Sequence, residues 1–311
     1  MPIRPIDHGI FAASGAGAAG AAYFGGGQIS GGTRQTKVEK FAYPDDTRSA
    51  LGTGLSQARN SLAAMANSGT AGYFAGGYVS SGSTDVVDKF AFSDDSRTTL
   101  GSGLPAATYG LAGMANWGTA GYFGGGYTTT YVTTVYKIAF SDDSWSTLST
   151  GLASTSGGVG AMANSGPAGY IGGGSHWPSY HTTMNKFAFS DDSRTTLSSG
   201  ISPGRDGVTG MANSGTAGYM GGGYPYGGPT QSVVDKFTFS DDSRSALSSG
   251  LSIARYYTGG AANSGTAGYY AGGGGYEDTI DKFAFPGDSR TTLGTGLASG
   301  TGYLAGMANE G

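Results

Sequence analysis

The chain has 311 residues, of which 61 are glycine and none is cysteine, and only 12% are charged, with a formal net charge of −4. The absence of cysteine excludes a disulfide scaffold and thiolate metal sites, and the weakly acidic balance argues against a nucleic-acid-binding surface. No apolar run approaches the ~20 residues of a membrane helix, and residues 1–22 lack the apolar centre of a secretory signal. We therefore expect no nucleic-acid partner, no membrane insertion and no signal peptide.

A glycine content this high is typical of three kinds of protein: collagens, disordered chains and repeat proteins. The chain has ten prolines and no three-residue glycine period, which excludes collagen. Its 20 Tyr and 14 Phe are spread along the whole length, unlike the composition of a disordered chain. The composition therefore favours a repeat architecture with many tight turns.

A segment of about 49 residues recurs six times along the chain. The copies share versions of four segments: a Met-Ala-Asn-like triplet, which is degraded at Ala261, a tyrosine and a large apolar residue followed by small residues and glycines, a Lys-Phe-Ala-Phe-like segment and a Ser-Asp-Asp-Ser-Arg-like turn. The first aromatic residues of the copies are spaced by 48 to 50 residues and are Tyr23, Tyr73, Tyr122, Tyr170, Tyr219 and Tyr269.

Each copy is predicted to form four short β-strands. In the clearest copy these cover Leu111 to Asn116, Gly121 to Gly126, Val132 to Phe140 and Ser146 to Leu152. The third segment alternates with the period of two that is typical of a half-buried strand, and no window has the 3.6-residue period of a helix. Four strands in each of six copies predict a single-domain, all-β, six-bladed β-propeller with four-stranded antiparallel blades.

The repeat resembles the kelch family. In one copy, Tyr73 and the pair Gly76 and Gly77 are followed by a strand with Phe90 and Phe92 and then by an Asp-rich turn. Kelch repeats usually carry a tryptophan after that turn, which only one copy retains, so the chain resembles a divergent form. Galactose oxidase is a kelch-type enzyme, but its copper site needs a cysteine that this chain lacks, so the resemblance implies no such activity.

The two ends of the chain predict how the ring closes. Tyr303 to Asn309 repeats the first strand of a blade with no second strand after it, and we expect it to complete the first blade. In an alternative, Ile10 to Ser14 forms that strand instead. Residues 1–20 are predicted to be a Gly/Ala-rich extension, either a disordered tail or an anchor into a partner, and residues 21–311 to be the propeller.

Aspartate pairs occupy the same turn in successive copies, as in Asp94-Asp95 and Asp191-Asp192. Paired carboxylates can bind calcium, but a feature repeated in every copy favours a structural turn, because aspartate side chains bond backbone N–H groups there. Each repeated lysine of the third strand is predicted to make solvated or inter-blade polar contacts. His176 and His181 share one loop and lack an obvious third metal ligand, so no metal, cofactor or catalytic residue is predicted.

The loops predict the working surface. In an antiparallel blade, the two-to-three and four-to-one connections lie at one end, and they differ from copy to copy and are rich in Tyr, Trp and Arg, the residues enriched at binding hot spots. The short turns at the other end are nearly constant. The predicted binding residues are Tyr127, Tyr131, Trp177, Tyr180, Tyr224, Tyr226, Arg255 and Tyr256.

These features predict a non-enzymatic structural or binding protein. The leading interpretation is a bacteriophage virion protein, such as a fibre, decoration or host-adhesion subunit, that contacts other virion or surface proteins or a cell-surface glycan or receptor. The alternatives are a kelch-type protein–protein adaptor in the cytoplasm or at the cell surface, and a glycan-binding lectin or glycan-active protein. The sequence leaves the ligand and the oligomeric state open.

Overall fold

The computed structural model describes residues 20–310, which form six four-stranded antiparallel sheets arranged as the blades of a β-propeller. This confirms the predicted fold. The extension predicted for residues 1–20 lies, except for Gly20, outside the described residues, as does the segment from Ile10 to Ser14. The described residues include no helix long and apolar enough to cross a membrane.

Within a blade the strands are counted outward from the central axis. Blade 1 consists of β30 (Ala305–Asn309), β1 (Ala21–Gly25), β3 (Val38–Ala42) and β4 (Thr47–Ala50). Blade 2 consists of β5 (Ala63–Asn67), β6 (Ala71–Ala75), β9 (Val87–Ala91) and β10 (Arg97–Thr99). Blade 3 consists of β11 (Ala112–Asn116), β12 (Ala120–Gly124), β13 (Val135–Ala139) and β14 (Trp145–Thr147).

Blade 4 consists of β15 (Gly160–Asn164), β16 (Ala168–Gly172), β19 (Met184–Ala188) and β20 (Arg194–Thr196). Blade 5 consists of β21 (Thr209–Asn213), β22 (Ala217–Gly221), β23 (Val234–Thr238) and β24 (Ser243–Ala246). Blade 6 consists of β25 (Gly259–Asn263), β26 (Ala267–Ala271), β27 (Ile280–Ala284) and β28 (Ser289–Thr292). Three two-residue ladders lie in the loops and pair β2 (Gln28–Ile29) with β29 (Thr301–Gly302), β7 (Tyr78–Val79) with β8 (Gly82–Ser83), and β17 (Ser175–His176) with β18 (Ser179–Tyr180).

The C-terminal strand closes the ring, as the sequence predicted. β30 pairs antiparallel with β1, and Met307 lies opposite Tyr23 in the register. The other edge of β1 pairs with β3, so no edge of β1 remains for Ile10 to Ser14, and that alternative is wrong. Because the two ends of the described chain share one blade, the inner edge of β1 is covered at the closure.

Methionines of the first strands pack against glycines of the next blade. A Cβ atom on Gly121 would fall on the thioether of Met65, and the same holds at four other junctions between blades. These five pairs are Met65 with Gly121, Met114 with Gly169, Met162 with Gly218, Met211 with Gly268 and Met307 with Gly72. At the sixth junction both residues are alanine, Ala261 and Ala22, and they belong to one core cluster. The repeated glycine therefore makes room for a side chain of the neighbouring blade.

The second aspartate of each pair joins adjacent blades. In a representative junction, the Tyr122 hydroxyl donates to Asp192 Oδ1 at 2.8 Å and Lys137 Nζ to Asp192 Oδ2 at 2.7 Å. The Lys137 ammonium also lies 5.2 Å from the centroid of the Tyr122 ring. Equivalent trios at the other junctions hold Asp46, Asp95, Asp143, Asp242 and Asp288. Each trio is called a staple below.

The first aspartate shapes the turn itself. Asp191 Oδ1 accepts the backbone N–H of Ser193 at 3.0 Å, and Asp192 has φ of 58°, a left-handed conformation that aspartate tolerates. The aspartate pairs and the third-strand lysines thus have the structural roles that were predicted. The arginine that follows the pair makes its contacts elsewhere. Arg244, for example, bonds Asp235 of its own blade at 2.6 Å.

Candidate functional site

The variable loops and the constant turns lie at opposite ends of the propeller. The two-to-three and four-to-one connections form one end, here called the variable end, and the one-to-two and three-to-four turns form the other, the constant end. Gly20 and Glu310, the first and last described residues, both lie at the constant end, where β1 begins and β30 finishes. The variable end is therefore remote from the points where the chain enters and leaves the ring.

A closed ring of backbone hydrogen bonds surrounds the axis at the variable end. Each four-to-one connection contributes one residue with positive φ, and its N–H donates to the carbonyl of the corresponding residue in a neighbouring connection at 2.8 to 3.0 Å. The six residues are Ser61, Gly110, Gly158, Gly207, Tyr257 and Tyr303. Two of them are tyrosines, whose left-handed backbone is uncommon for large residues. The ring fixes the backbone on which the central side chains stand.

Buried ion pairs support these same connections from beneath. Arg255 Nη2 bonds Asp281 Oδ2 at 2.5 Å, with both side chains fully buried, and Arg255 Nη1 donates to the carbonyl of Thr279. Arg59 with Asp88 and Arg205 with Asp235 form equivalent pairs. Burial lowers the pKa of Arg255, an effect that the charge of Asp281 opposes. Removing one partner of such a pair would leave an uncompensated buried charge, which is strongly destabilising.

Aromatic rings form two chains of contacts across the variable end. Centroids of neighbouring rings are 4.9 to 5.8 Å apart in both chains. The first chain contains Tyr78, Tyr109, Tyr127, Tyr131 and His176. The second contains Trp177, Tyr226, Tyr180, Tyr224, Tyr256, Tyr303 and Tyr257. Because side chains from different blades contact one another, the loops present an aromatic surface that spans several blades.

A cavity of about 460 Å³ opens at the centre of this surface. Its lining includes seven tyrosines, namely Tyr109, Tyr127, Tyr131, Tyr224, Tyr256, Tyr257 and Tyr303. Among the described residues, the one charged side chain in the lining is Asp206, which is only 7% exposed. The volume lies within the ~300–1,000 Å³ usual for small-molecule sites.

Two tyrosines hold the Asp206 carboxylate. The Tyr224 hydroxyl donates to Oδ2 at 2.9 Å and the Tyr257 hydroxyl to Oδ1 at 3.0 Å. Burial raises the pKa of Asp206, although these two hydrogen bonds act in the opposite direction. Burial, followed by the nearby charge of Asp206, also holds the pKa of Tyr257 well above its usual range. A Cβ on Gly158 would overlap the Asp206 carboxylate, so glycine is needed at that position.

The structure brings most of the predicted binding residues together. Tyr127, Tyr131, Tyr224 and Tyr256 line the cavity. Beside it, Trp177 and Tyr226 are 64% and 61% exposed, and Tyr180 contacts both Tyr224 and Tyr226. Trp177, Tyr226 and Tyr180 are called the aromatic ridge below.

Arg255 is different from the other predicted residues, because its guanidinium is 0% exposed and engaged with Asp281. The side chain supports the connection that carries Tyr256 and does not reach the surface, so Arg255 is left out of the candidate site. Its place in a four-to-one connection agrees with the prediction. The aspartate with which it forms a buried ion pair, Asp281, lies in the next blade.

The sequence reasoning missed Asp206 and Tyr303. Aligning the copies supplies a signal for Asp206, because it occupies the position of Tyr109 and Tyr256 in the four-to-one connections. The repeat pattern predicts Tyr303 only as the beginning of the closing strand, yet this residue stands at the axis and stacks on Tyr257 at 4.9 Å.

The two loop histidines make separate contacts. His176 Nδ1 lies 2.7 Å from Thr155 Oγ1, while burial lowers the pKa of His181. His8 lies outside the described residues. Within residues 20–310, no three His, Asp or Glu side chains are grouped in a way that could hold a metal ion.

No protein-family model matches this chain, and no curated protein matches it either. The assignment of a role therefore depends on the fold and on the variable end. A six-bladed β-propeller fits a non-enzymatic binding role in general.

Proposed function

We propose that the protein is a non-enzymatic binding module whose variable end contacts the ligand. The observation that carries this proposal is the separation of the two ends. One end repeats the same turns and staples around the ring, while the other gathers aromatic side chains from different blades around a cavity. Large aromatic side chains provide contact area at low entropic cost, which suits a surface for recognition.

The ligand that we propose is a cell-surface glycan or receptor, contacted by the aromatic ridge and by the tyrosines of the cavity. The exposed faces of Trp177 and Tyr226 would stack on the partner, and the cavity would accept a protruding group. Truncating a central aromatic residue of such a surface costs about 2 kcal/mol or more of binding.

The setting that we propose is the bacteriophage virion, with the protein as a fibre, decoration or host-adhesion subunit. Two features support it: the six copies are nearly identical, and the loops are rich in Tyr, Ser and Thr. Gly20, the first described residue, lies at the constant end, and attachment at that end would leave the variable end facing outward. Mass spectrometry of purified particles tests this setting, and absence of the protein from every particle fraction would favour the adaptor or lectin alternatives.

The binding role is tested by comparing two exposed tryptophans at opposite ends. Trp177 is 64% exposed at the variable end and Trp117 is 36% exposed in a turn of the constant end. We expect Trp177→Ala to weaken binding to host cells or to a glycan array at least tenfold, and Trp117→Ala to leave it unchanged. Loss of binding in Trp117→Ala alone would contradict the assignment of the ends.

A further inference from the structure

The cavity at the variable end contains a buried acid with an unusual environment. Among the described residues, five buried side chains are carboxylic acids: Glu39, Asp88, Asp206, Asp235 and Asp281. Four of them have a lysine or arginine within 4 Å. No cationic side chain of the described residues lies within that distance of Asp206, whose carboxylate accepts hydrogen bonds from uncharged groups, among them the hydroxyls of Tyr224 and Tyr257.

The lining of the cavity gives this carboxylate no charge compensation either. Tyrosine, glycine, serine and threonine account for the rest of the lining, and no lysine, arginine or histidine of residues 20–310 takes part. His176 packs on the Tyr131 ring and is engaged with Thr155. The faces of tyrosine rings attract cations electrostatically. The tyrosines of the cavity and the Asp206 carboxylate therefore both favour a positively charged ligand.

The staples between blades show that an aspartate and a tyrosine together can hold an ammonium group. In each of the six staples, a lysine ammonium lies 5.2 to 5.6 Å from the centroid of a tyrosine ring and bonds an aspartate whose other oxygen accepts the tyrosine hydroxyl. The cavity offers the same aspartate and tyrosine groups, but residues 20–310 place no cation there. At the rim, Arg34 makes a further contact of this kind, 5.0 Å from the Tyr78 ring.

From these observations we infer that the cavity binds a ligand bearing an organic ammonium group, held by the Asp206 carboxylate and the surrounding tyrosine faces. A hard metal ion is a poorer fit, because such ions prefer several oxygen ligands around them. The volume of about 460 Å³ admits an organic body attached to the ammonium group. This inference rests on the proposed function, since it names the chemistry that the variable end recognises.

The experiment is isothermal titration calorimetry of the full chain with two pairs of probes that differ in charge. Choline is compared with its neutral isostere 3,3-dimethyl-1-butanol, and glucosamine is compared with glucose. The first pair represents a quaternary ammonium headgroup and the second an ammonium-bearing sugar. We expect at least one cationic probe to bind ten or more times more tightly than its neutral counterpart.

Two variants complete the test. Asp206→Asn retains the shape of the side chain and should weaken binding of the cationic probe at least tenfold, whereas Trp117→Ala should not affect it. Circular dichroism and thermal unfolding verify that Asp206→Asn is folded, and the comparison of charged and neutral probes requires no variant. Equal affinity for the members of both pairs, equal affinity of the wild type and a folded Asp206→Asn, or no binding of either cation at millimolar concentrations would overturn the inference.

The inference and the proposed function can fail separately. If Trp177→Ala abolishes attachment to cells while choline and glucosamine neither bind nor compete, the inference is overturned and the binding role stands. If a cationic probe binds through Asp206 but the Trp177→Ala variant attaches normally, the inference is supported and the proposed role of the aromatic ridge is refuted.

Discussion

Methionine packs against glycine between blades, and we therefore predict that substitutions at these two positions are coupled. The protein's own sequence supports this prediction. The Met65 side chain occupies the space where Gly121 of the next blade would carry a Cβ, and Met65 is only 4% exposed. Where the methionine is replaced, at Ala261, the facing glycine is also replaced, by Ala22. The two positions therefore share one volume, and their substitutions should be coupled.

The expected energies follow from that shared volume. Met65→Ala removes three buried heavy atoms and should cost about 2–4 kcal/mol, because a cavity remains. Gly121→Ala forces a methyl group against a packed thioether and should cost about 1–3 kcal/mol. In the double variant the new methyl group occupies part of the space that the methionine leaves. Gly121→Ala should therefore destabilise the wild type but stabilise the Met65→Ala background, with a coupling of about 1 kcal/mol or more.

Denaturant unfolding of the wild type, both single variants and the double variant measures this coupling. The reciprocal pair at the sixth junction serves as the matched control: Ala261→Met alone should destabilise, and addition of Ala22→Gly should restore stability. Equal destabilisation by Gly121→Ala in both backgrounds would refute the idea that the glycine is there to accommodate the methionine.

Four further predictions address the staples, the closure and the response to pH and metal. Asp192→Asn should cost about 1–3 kcal/mol of stability, because charge-assisted bonds from Tyr122 and Lys137 are weakened, and a double-mutant cycle with Tyr122→Phe should be non-additive. Deletion of residues 303–311 should prevent cooperative folding, since it exposes the inner edge of β1 and removes Ala305 and Met307 from the core; a truncated protein with unchanged melting temperature would contradict the closure. Burial raises the pKa of Glu310 to about 7 from its ordinary 4.5, so the contribution of this residue to stability should be greatest below pH 4.5 and fall as pH rises towards 7, and Glu310→Gln should change the difference between thermal melts at pH 5 and 8 accordingly. Calcium or a chelator should leave the melting temperature unchanged, because the staples already occupy the carboxylate oxygens of the second aspartates; a calcium-dependent rise would overturn that assignment.

The fold was predictable because each copy repeats the same local rules. The spacing from Tyr23 to Tyr73 and onward fixes the size of a blade, and the unpaired copy from Tyr303 to Asn309 indicates the closure. Strand limits were less accurate: the third strand of blade 3 is Val135–Ala139, and the predicted segment from Val132 to Phe140 was too long. The flanking residues leave the sheet to form the loops, and an alternating pattern does not mark that point.

The candidate site was predictable only in part, because it is assembled across blades. The aromatic composition of the loops identified Tyr127 and Tyr224, but not which side chains reach the axis. Arg255 has the sequence context of a surface residue, and only the fold places Asp281 of the following blade against its charge. Comparison of copies contains a signal for this pairing, since Arg59 and Arg205 are also followed, about 30 residues later, by the aspartate that each one bonds.

Comparison of the copies also explains why Asp206 indicates a ligand site. Burying a carboxylate without a cation costs stability, and the other four buried acids of residues 20–310 each have an arginine or lysine within 4 Å, as at Asp235 and Asp281. The position of Asp206 does not demand an acid, because the equivalent residues of other blades include Tyr109 and Tyr256. A buried charge that the architecture neither needs nor compensates is therefore better explained by a ligand than by the fold, and its replacement by asparagine should leave stability nearly intact while binding is lost.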